Sequence, residues 1–300
     1  MRRILFALAA GLAIVCGPAG VGAAAESLSA ADKAIYKRAF DAAAKQDWAE
    51  ARRLAATGKN PLPAKVIQWL DLARPGPGRS FSEFAAFIGD NSDWPSQLTL
   101  QAQAERAMPD GLPAAEIQSW FVEREPLTLE GAYHLGQALQ ANGKKPEAAN
   151  LVRHAWREFN GFDGEVESRI LAAFGKSLTA DDHVARLDRL LWNGDQAAAL
   201  RVMPRVDASH RALAEARMGL RSDSGKVESL IAAVPKKLQR DPGLIYERAR
   251  WRRRHDQFET IPQLFDPPLA AIPRSDLVWR ELDDGARKAL TRGQAKAAYR

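Results

Sequence analysis

From Ser29 onward, apolar residues recur every three or four positions in stretches of 9 to 16 residues, separated by short polar or Pro/Gly connections. Period-two alternation is never sustained, so the pattern predicts helices and no sheet. The helix starts are marked. Ser29 with Asp32, Ser80 with Glu83 and Thr179 with Asp182 each place a hydroxyl over free backbone N–H groups and an acid three residues on. Asp241 followed by Pro242 is a cap with proline at the first helical position. Gly58, Gly89, Gly143, Gly194, Gly219 and Gly293 each close an apolar-periodic run and predict helix stops. The pattern amounts to roughly fifteen helices of ordinary length on short loops.

Composition points the same way. Alanine supplies 55 of the 300 residues, whereas Val, Ile and Thr together supply 29. Alanine favours helices and β-branched residues favour strands, so the fold class is all-α. An apolar fraction of 46% excludes a disordered chain, and one cysteine, Cys16, excludes a disulfide scaffold.

Neighbouring helices share a pairing pattern. Leu135, Gly136, Leu139, Gly143, Ala148 and Ala155 fall at tetratricopeptide (TPR-like) spacing, where small residues let two antiparallel helices approach and glycine makes the turn. Gly194 with Ala199 and Gly293 with Ala298 repeat it, and Gln46 with Ala51 does so without the glycine. The intervals are unequal. A superhelical α-solenoid of irregular TPR-like helical hairpins fits this better than a consensus array, with a compact helical bundle as the alternative. Eight tryptophans, Trp48, Trp69, Trp94, Trp120, Trp156, Trp192, Trp251 and Trp279, are spread along the chain, which predicts packing between layers rather than one aromatic site.

The first 25 residues read as an address. Arg2 and Arg3 precede the apolar run Ile4 to Val15, and Ala23-Ala24-Ala25 offers a cleavage site before Glu26, the pattern of a signal peptide. A membrane anchor is the alternative, but the run is short for a spanning helix. Cys16 falls in the discarded segment, because Val15 stands where lipoprotein processing wants a small residue. No later apolar stretch of 18 residues predicts membrane insertion. The expected mature chain, residues 26–300, is one scaffold domain in a bacterial periplasm. The net charge of +6 becomes milder once Arg2 and Arg3 are removed, which favours anionic partners such as cell-wall polymers. Export disfavours nucleic acid.

Candidate chemistry is sparse. His134, His154, His183, His210 and His255 lie far apart with no i+3 or i+4 pairing, so each reads as a surface or capping residue and no metal site is predicted. No nucleophile elbow, Walker loop or dinucleotide fingerprint occurs, so no cofactor is predicted. The paired acids Glu165 and Glu167, Asp181 and Asp182, and Asp283 and Asp284 stand in helix-start or turn contexts, where carboxylates oppose the helix dipole. The densest charge run is Arg248 to His255. Arg250, Arg252, Arg253 and Arg254 are the candidate contacts for a glycan or other anionic partner. The bland reading is a solvated face whose arginines pair with acids on the next hairpin.

Four segments taken together, Asn91 to Pro95, Leu178 to Gly194, His210 to Arg217 and Asp241 to Arg254, resemble the N-terminal superhelical region of soluble lytic murein transglycosylases of alphaproteobacterial type. The likeness runs from about Leu28 to Arg300. It implies a periplasmic protein acting on peptidoglycan, in a family that cleaves glycan strands to 1,6-anhydromuramic ends. That family's catalytic glutamate stands in a Glu-Ser motif followed by Gly-Leu-Met-Gln. Here Glu167-Ser168 and Glu228-Ser229 continue differently, and Glu26-Ser27 is at the cleavage site, so no catalytic residue carries over. The last hairpin, from Gly293 to Arg300, ends within two turns, which reads as a scaffold truncated before a catalytic domain. The expectation is a non-catalytic scaffold that binds peptidoglycan glycan strands weakly. The alternative is an adaptor for periplasmic proteins.

Overall fold

The computed structural model describes residues 28–160, 164–266, 268–269 and 271–299, and the predicted leader lies outside them. Among the described residues there are sixteen α-helices and no strand. The chain divides into two compact units, Met1–Asp71 and Leu72–Arg300.

The first unit holds α1 (Ala30–Ala44), α2 (Trp48–Ala55) and most of α3 (Pro61–Ala73). The Ser29 hydroxyl accepts from the Asp32 N–H (3.0 Å) and starts α1 as predicted. Ala39, Ala42, Ala43, Ala51 and Ala55 let α1 and α2 close on each other, and Tyr36, Leu54 and Ile67 fill the remaining space. A Cβ at Gly58 would overlap the Tyr36 ring, so glycine there admits the ring, whose hydroxyl donates to the Asn60 carbonyl.

The second unit continues with α4 (Phe81–Asp90), α5 (Gln97–Arg106), α6 (Ala114–Trp120), α7 (Leu129–Ala141), α8 (Lys145–Glu158) and α9 (Gly164–Phe174). It ends with α10 (Ala180–Asn193), α11 (Gln196–Val202), α12 (Ala208–Ser222), α13 (Val227–Ala233), α14 (Pro242–Arg254), α15 (Ser275–Thr291) and α16 (Ala295–Tyr299). The capping boxes at Ser80/Glu83 and Thr179/Asp182 both form. Within this unit α8 packs on α10, α10 on α12, α12 on α14, and α14 on α15. The shorter α11, α13 and α16 pack on α10, α12 and α15 respectively. The apolar core follows this order as a series of clusters, one around α7 to α9, the next around α10 to α12, then α12 to α14 and α14 to α16.

One turn recurs. Gln46, Gly143, Gly194, Asp223, Asp256 and Gly293 all have positive φ, between 57° and 77°. In each case the next N–H bonds the carbonyl five residues back, for example Lys144 to Leu139 (2.9 Å), Asp195 to Leu190 (3.0 Å) and Ser224 to Gly219 (2.9 Å). This Schellman closure satisfies orphan carbonyls and reverses the chain. Two predicted stops are corrected. Gly89 and Gly219 lie inside α4 and α12. At Gly219 the missing side chain makes room for Leu230, so the glycine marks close approach of α12 and α13 and not an end.

Candidate functional site

The basic run lies on α14, whose start is fixed by the Asp241 carboxylate accepting from the Leu244 N–H (2.9 Å). Its first turns do not have one apolar face. Leu244 joins the α12–α13 core, Ile245 and Ala249 pack toward Phe258, Ile261 and Ala289, and Tyr246 meets Trp192 of α10 and Val278 of α15. With so many sides covered, its arginines must extend along neighbouring elements. Arg250 lies 3.6 Å from the buried Glu247. Arg252 donates to the Thr260 carbonyl (2.5 Å). Arg253 pairs with the buried Glu281 and lies 3.9 Å from Asp284, and the Glu281 hydrogen bond raises its pKa. Arg254 donates to the Leu220 and Arg221 carbonyls at the end of α12 (2.5 and 3.3 Å). Arg252, Arg253 and Arg254 therefore tie α14 to the turn after it, to α15 and to α12, while Arg250 pairs within α14.

The same device runs through the unit. Arg153 and Arg157 of α8 reach Asp182 of α10, Arg217 of α12 reaches Asp188 of α10, Arg221 of α12 reaches Glu247 of α14, and Arg253 reaches Glu281 of α15. The partners are 25 to 29 residues apart in the chain. Glu167 lies in the first turn of α9 as expected, but it is buried there, between Arg186 (2.5 Å) and Arg201 (2.6 Å). Arg186 is itself fully buried, stacked over the Trp156 ring at 4.3 Å and donating to the Trp156 carbonyl (3.1 Å). An unpaired buried charge costs about 3–5 kcal/mol, so a slipped helix register is strongly disfavoured.

Glycoside cleavage needs a carboxylic acid with a raised pKa facing an open cleft. Burial raises the pKa of Glu105 and of Asp241. Glu105 is fully buried, and its carboxylate accepts from Leu127 and Thr128 at the start of α7. Asp241 caps α14. Burial also acts on Asp182, but hydrogen bonds from Thr179, Arg153 and Arg157 outweigh it and lower the pKa to about 2. These three acids are engaged by helix starts, not by a cleft. His134, expected at the surface, is buried beside Tyr133, and burial lowers its pKa. Among the described residues no group of three His, Cys, Asp or Glu side chains could hold a metal ion.

The open surface with binding character lies on α15. Of the eight tryptophans, Trp279 departs from the predicted packing role, being 70% exposed. It borders a groove of about 880 Å³ between α15, α16 and the 3-10 turns Phe258–Thr260 and Pro262–Phe265, and a second depression of about 420 Å³ toward Ile272. The groove floor is Ile261, Phe265, Leu282, Ala286 and Ala289, and Tyr299, 95% exposed, stands at one end. Its charged lining among the described residues is Glu259, Asp266 and Asp283, with no lysine or arginine. Asp283 accepts from Arg287 (2.9 Å), and Glu259 accepts from Gln294. Sequence reasoning missed this site because even spacing of tryptophans carries no sign of which one is left uncovered.

Comparison of the chain with protein-family models, with curated proteins and with solved structures finds no match.

Proposed function

We propose that the chain is a non-catalytic α-helical scaffold that binds peptidoglycan glycan strands in the periplasm, of the kind found in the N-terminal superhelical region of soluble lytic murein transglycosylases. The serial cores, the repeated Schellman turns and the arginine–carboxylate pairs between successive helices support a solenoid of helical hairpins over a closed bundle. The observation that carries glycan binding is Trp279. An exposed indole offers its π-face to the C–H face of a pyranose ring, and Glu259, Asp266 and Asp283 supply acceptors for sugar hydroxyls. The acids whose pKa burial raises face helix starts, so bond cleavage is not assigned to this chain.

The test is sedimentation with purified sacculi. Wild-type protein pellets with them, Trp279→Ala loses at least about half of that retention, and neither releases 1,6-anhydromuropeptides. Retention unchanged by Trp279→Ala, or release of soluble muropeptides, would overturn the proposal. The apolar floor of the groove also suits an amphipathic helix, which favours the adaptor reading as the second choice. Saturable binding of a purified periplasmic protein that Trp279→Ala abolishes, with no sedimentation on sacculi, would select it.

A further inference from the structure

A smaller depression, of about 280 Å³, opens between α4 and α6 and shares no residue with the groove at Trp279. One face of α4 brings Phe81 and Ala85 to it, four positions apart, and one face of α6 brings Glu116, Ser119 and Trp120. Phe81 meets the Trp120 ring edge-on, with centroids 5.2 Å apart, and the two form an aromatic wall. Arg124 lines the depression too. It lies over the Trp120 ring, 4.5 Å from the centroid, and donates to the Trp120 carbonyl (3.1 Å).

The polar groups here are not consumed by the fold. That one carbonyl leaves further N–H donors on the Arg124 fork. Glu116 is exposed and, among the described residues, belongs to no ion pair, whereas the acids between α8 and α15 are spent on arginines. Ser119 is exposed beside it. Trp120 is buried, and its indole N–H finds no acceptor among the described residues.

We propose that this depression binds a small zwitterion, an α-amino acid with an apolar side chain. The ligand carboxylate takes the remaining donors of Arg124, with the Ser119 hydroxyl and the Trp120 N–H as further donors. Glu116 takes the ammonium group, and the side chain lies on Phe81 and Ala85. A simple anion would face Glu116 uncompensated, and a simple cation would face Arg124, so opposite charges on one lining suit a ligand that carries both. The volume falls just short of the roughly 300 Å³ at which pockets for larger ligands begin, which fits one residue and not a peptide strand. The inference does not rest on glycan binding, since the two sites have no residue in common.

The test titrates leucine, in each enantiomer, into the purified chain by calorimetry, beside N-acetylleucine, which lacks the ammonium, and leucinamide, which lacks the carboxylate. Saturable binding of at least one enantiomer of leucine is expected, with each derivative roughly tenfold weaker. Glu116→Gln should weaken leucine roughly tenfold and leave N-acetylleucine unchanged, while Arg124→Gln weakens leucine and leaves leucinamide unchanged. Glu123→Gln, an exposed acid outside the depression, should change nothing. Should Arg124→Gln not fold, Glu116→Gln and the two derivatives still read the site. No saturable binding of either enantiomer, derivatives as tight as leucine, or equal weakening by Glu123→Gln would overturn the proposal, whatever sacculi show for Trp279.

Discussion

Glu105 is the residue that a search for a catalytic acid in this chain would choose, and replacing it separates a structural role from a chemical one. Its carboxylate accepts from Gln101 Nε2 (2.8 Å), the Leu127 N–H (2.9 Å), the Thr128 N–H (2.8 Å) and the Thr128 hydroxyl (2.7 Å). Three of these donors belong to the segment that starts α7, and Thr128 is buried. In Glu105→Ala the Thr128 N–H is left without an acceptor, at about 1–3 kcal/mol for each buried donor so orphaned. The void left by the side chain adds about 1 kcal/mol or more. Removal of a charge that burial already disfavours offsets part of this, so a net loss of about 2–4 kcal/mol is expected. Glu105→Gln keeps the volume but turns an amide N–H toward a donor, for a loss of about 1–2 kcal/mol.

The pH dependence has a definite sign. The folded-state pKa of Glu105 is raised, so ionisation costs stability above it. That cost disappears as pH falls through the folded value toward the unfolded value of about 4.3. Wild type should therefore gain on Glu105→Gln as the solution is acidified. Urea unfolding followed by tryptophan fluorescence measures each difference. If Glu105→Ala unfolds within about 0.5 kcal/mol of wild type, the carboxylate does not hold the start of α7. A gap to Glu105→Gln that narrows on acidification would refute the burial argument.

Two further changes test the ion-pair scaffold. Gly243 lies against the Arg217 guanidinium, which a Cβ would overlap, so Gly243→Ala should destabilise by about 2–3 kcal/mol, while Gly111→Ala, which faces open space, stays within about 0.5 kcal/mol in thermal unfolding. Asp182 has a lowered pKa of about 2, so its contribution is fully present above the unfolded value and is lost as pH falls through the folded one. The stability difference between wild type and Asp182→Asn should shrink by about 2 kcal/mol between ~pH 5 and ~pH 2, and a constant difference would contradict the assignment.

Helix identity and most helix ends were legible in the sequence, because caps and turns act on residues two to five positions away. Ser29, Ser80, Thr179 and Asp241 cap as their types require, and Gly143, Gly194 and Gly293 turn the chain where a Cβ would be strained. Asp223 and Asp256 make the same turn but passed unread, since aspartate enters the left-handed region without advertising it. Gly219 was misread for the converse reason: its close neighbour, Leu230, belongs to the next helix.

The arginine run shows where local reading ends. Sequence spacing put Arg250, Arg252, Arg253 and Arg254 on one helix, and it could not say what faced them. Arg250 pairs within the helix, but the partners of the other three come from α12, α15 and the turns after α14, and only the packing of those elements assigns Arg253 to Glu281. Trp279 is the same case for apolar surface, since exposure depends on which helix lies opposite. The sequence by itself determined that this chain is a succession of capped helices. The tertiary structure decided which charges are neutralised and which ring stays open, because burial and Coulomb attraction depend on distance in space and not along the chain.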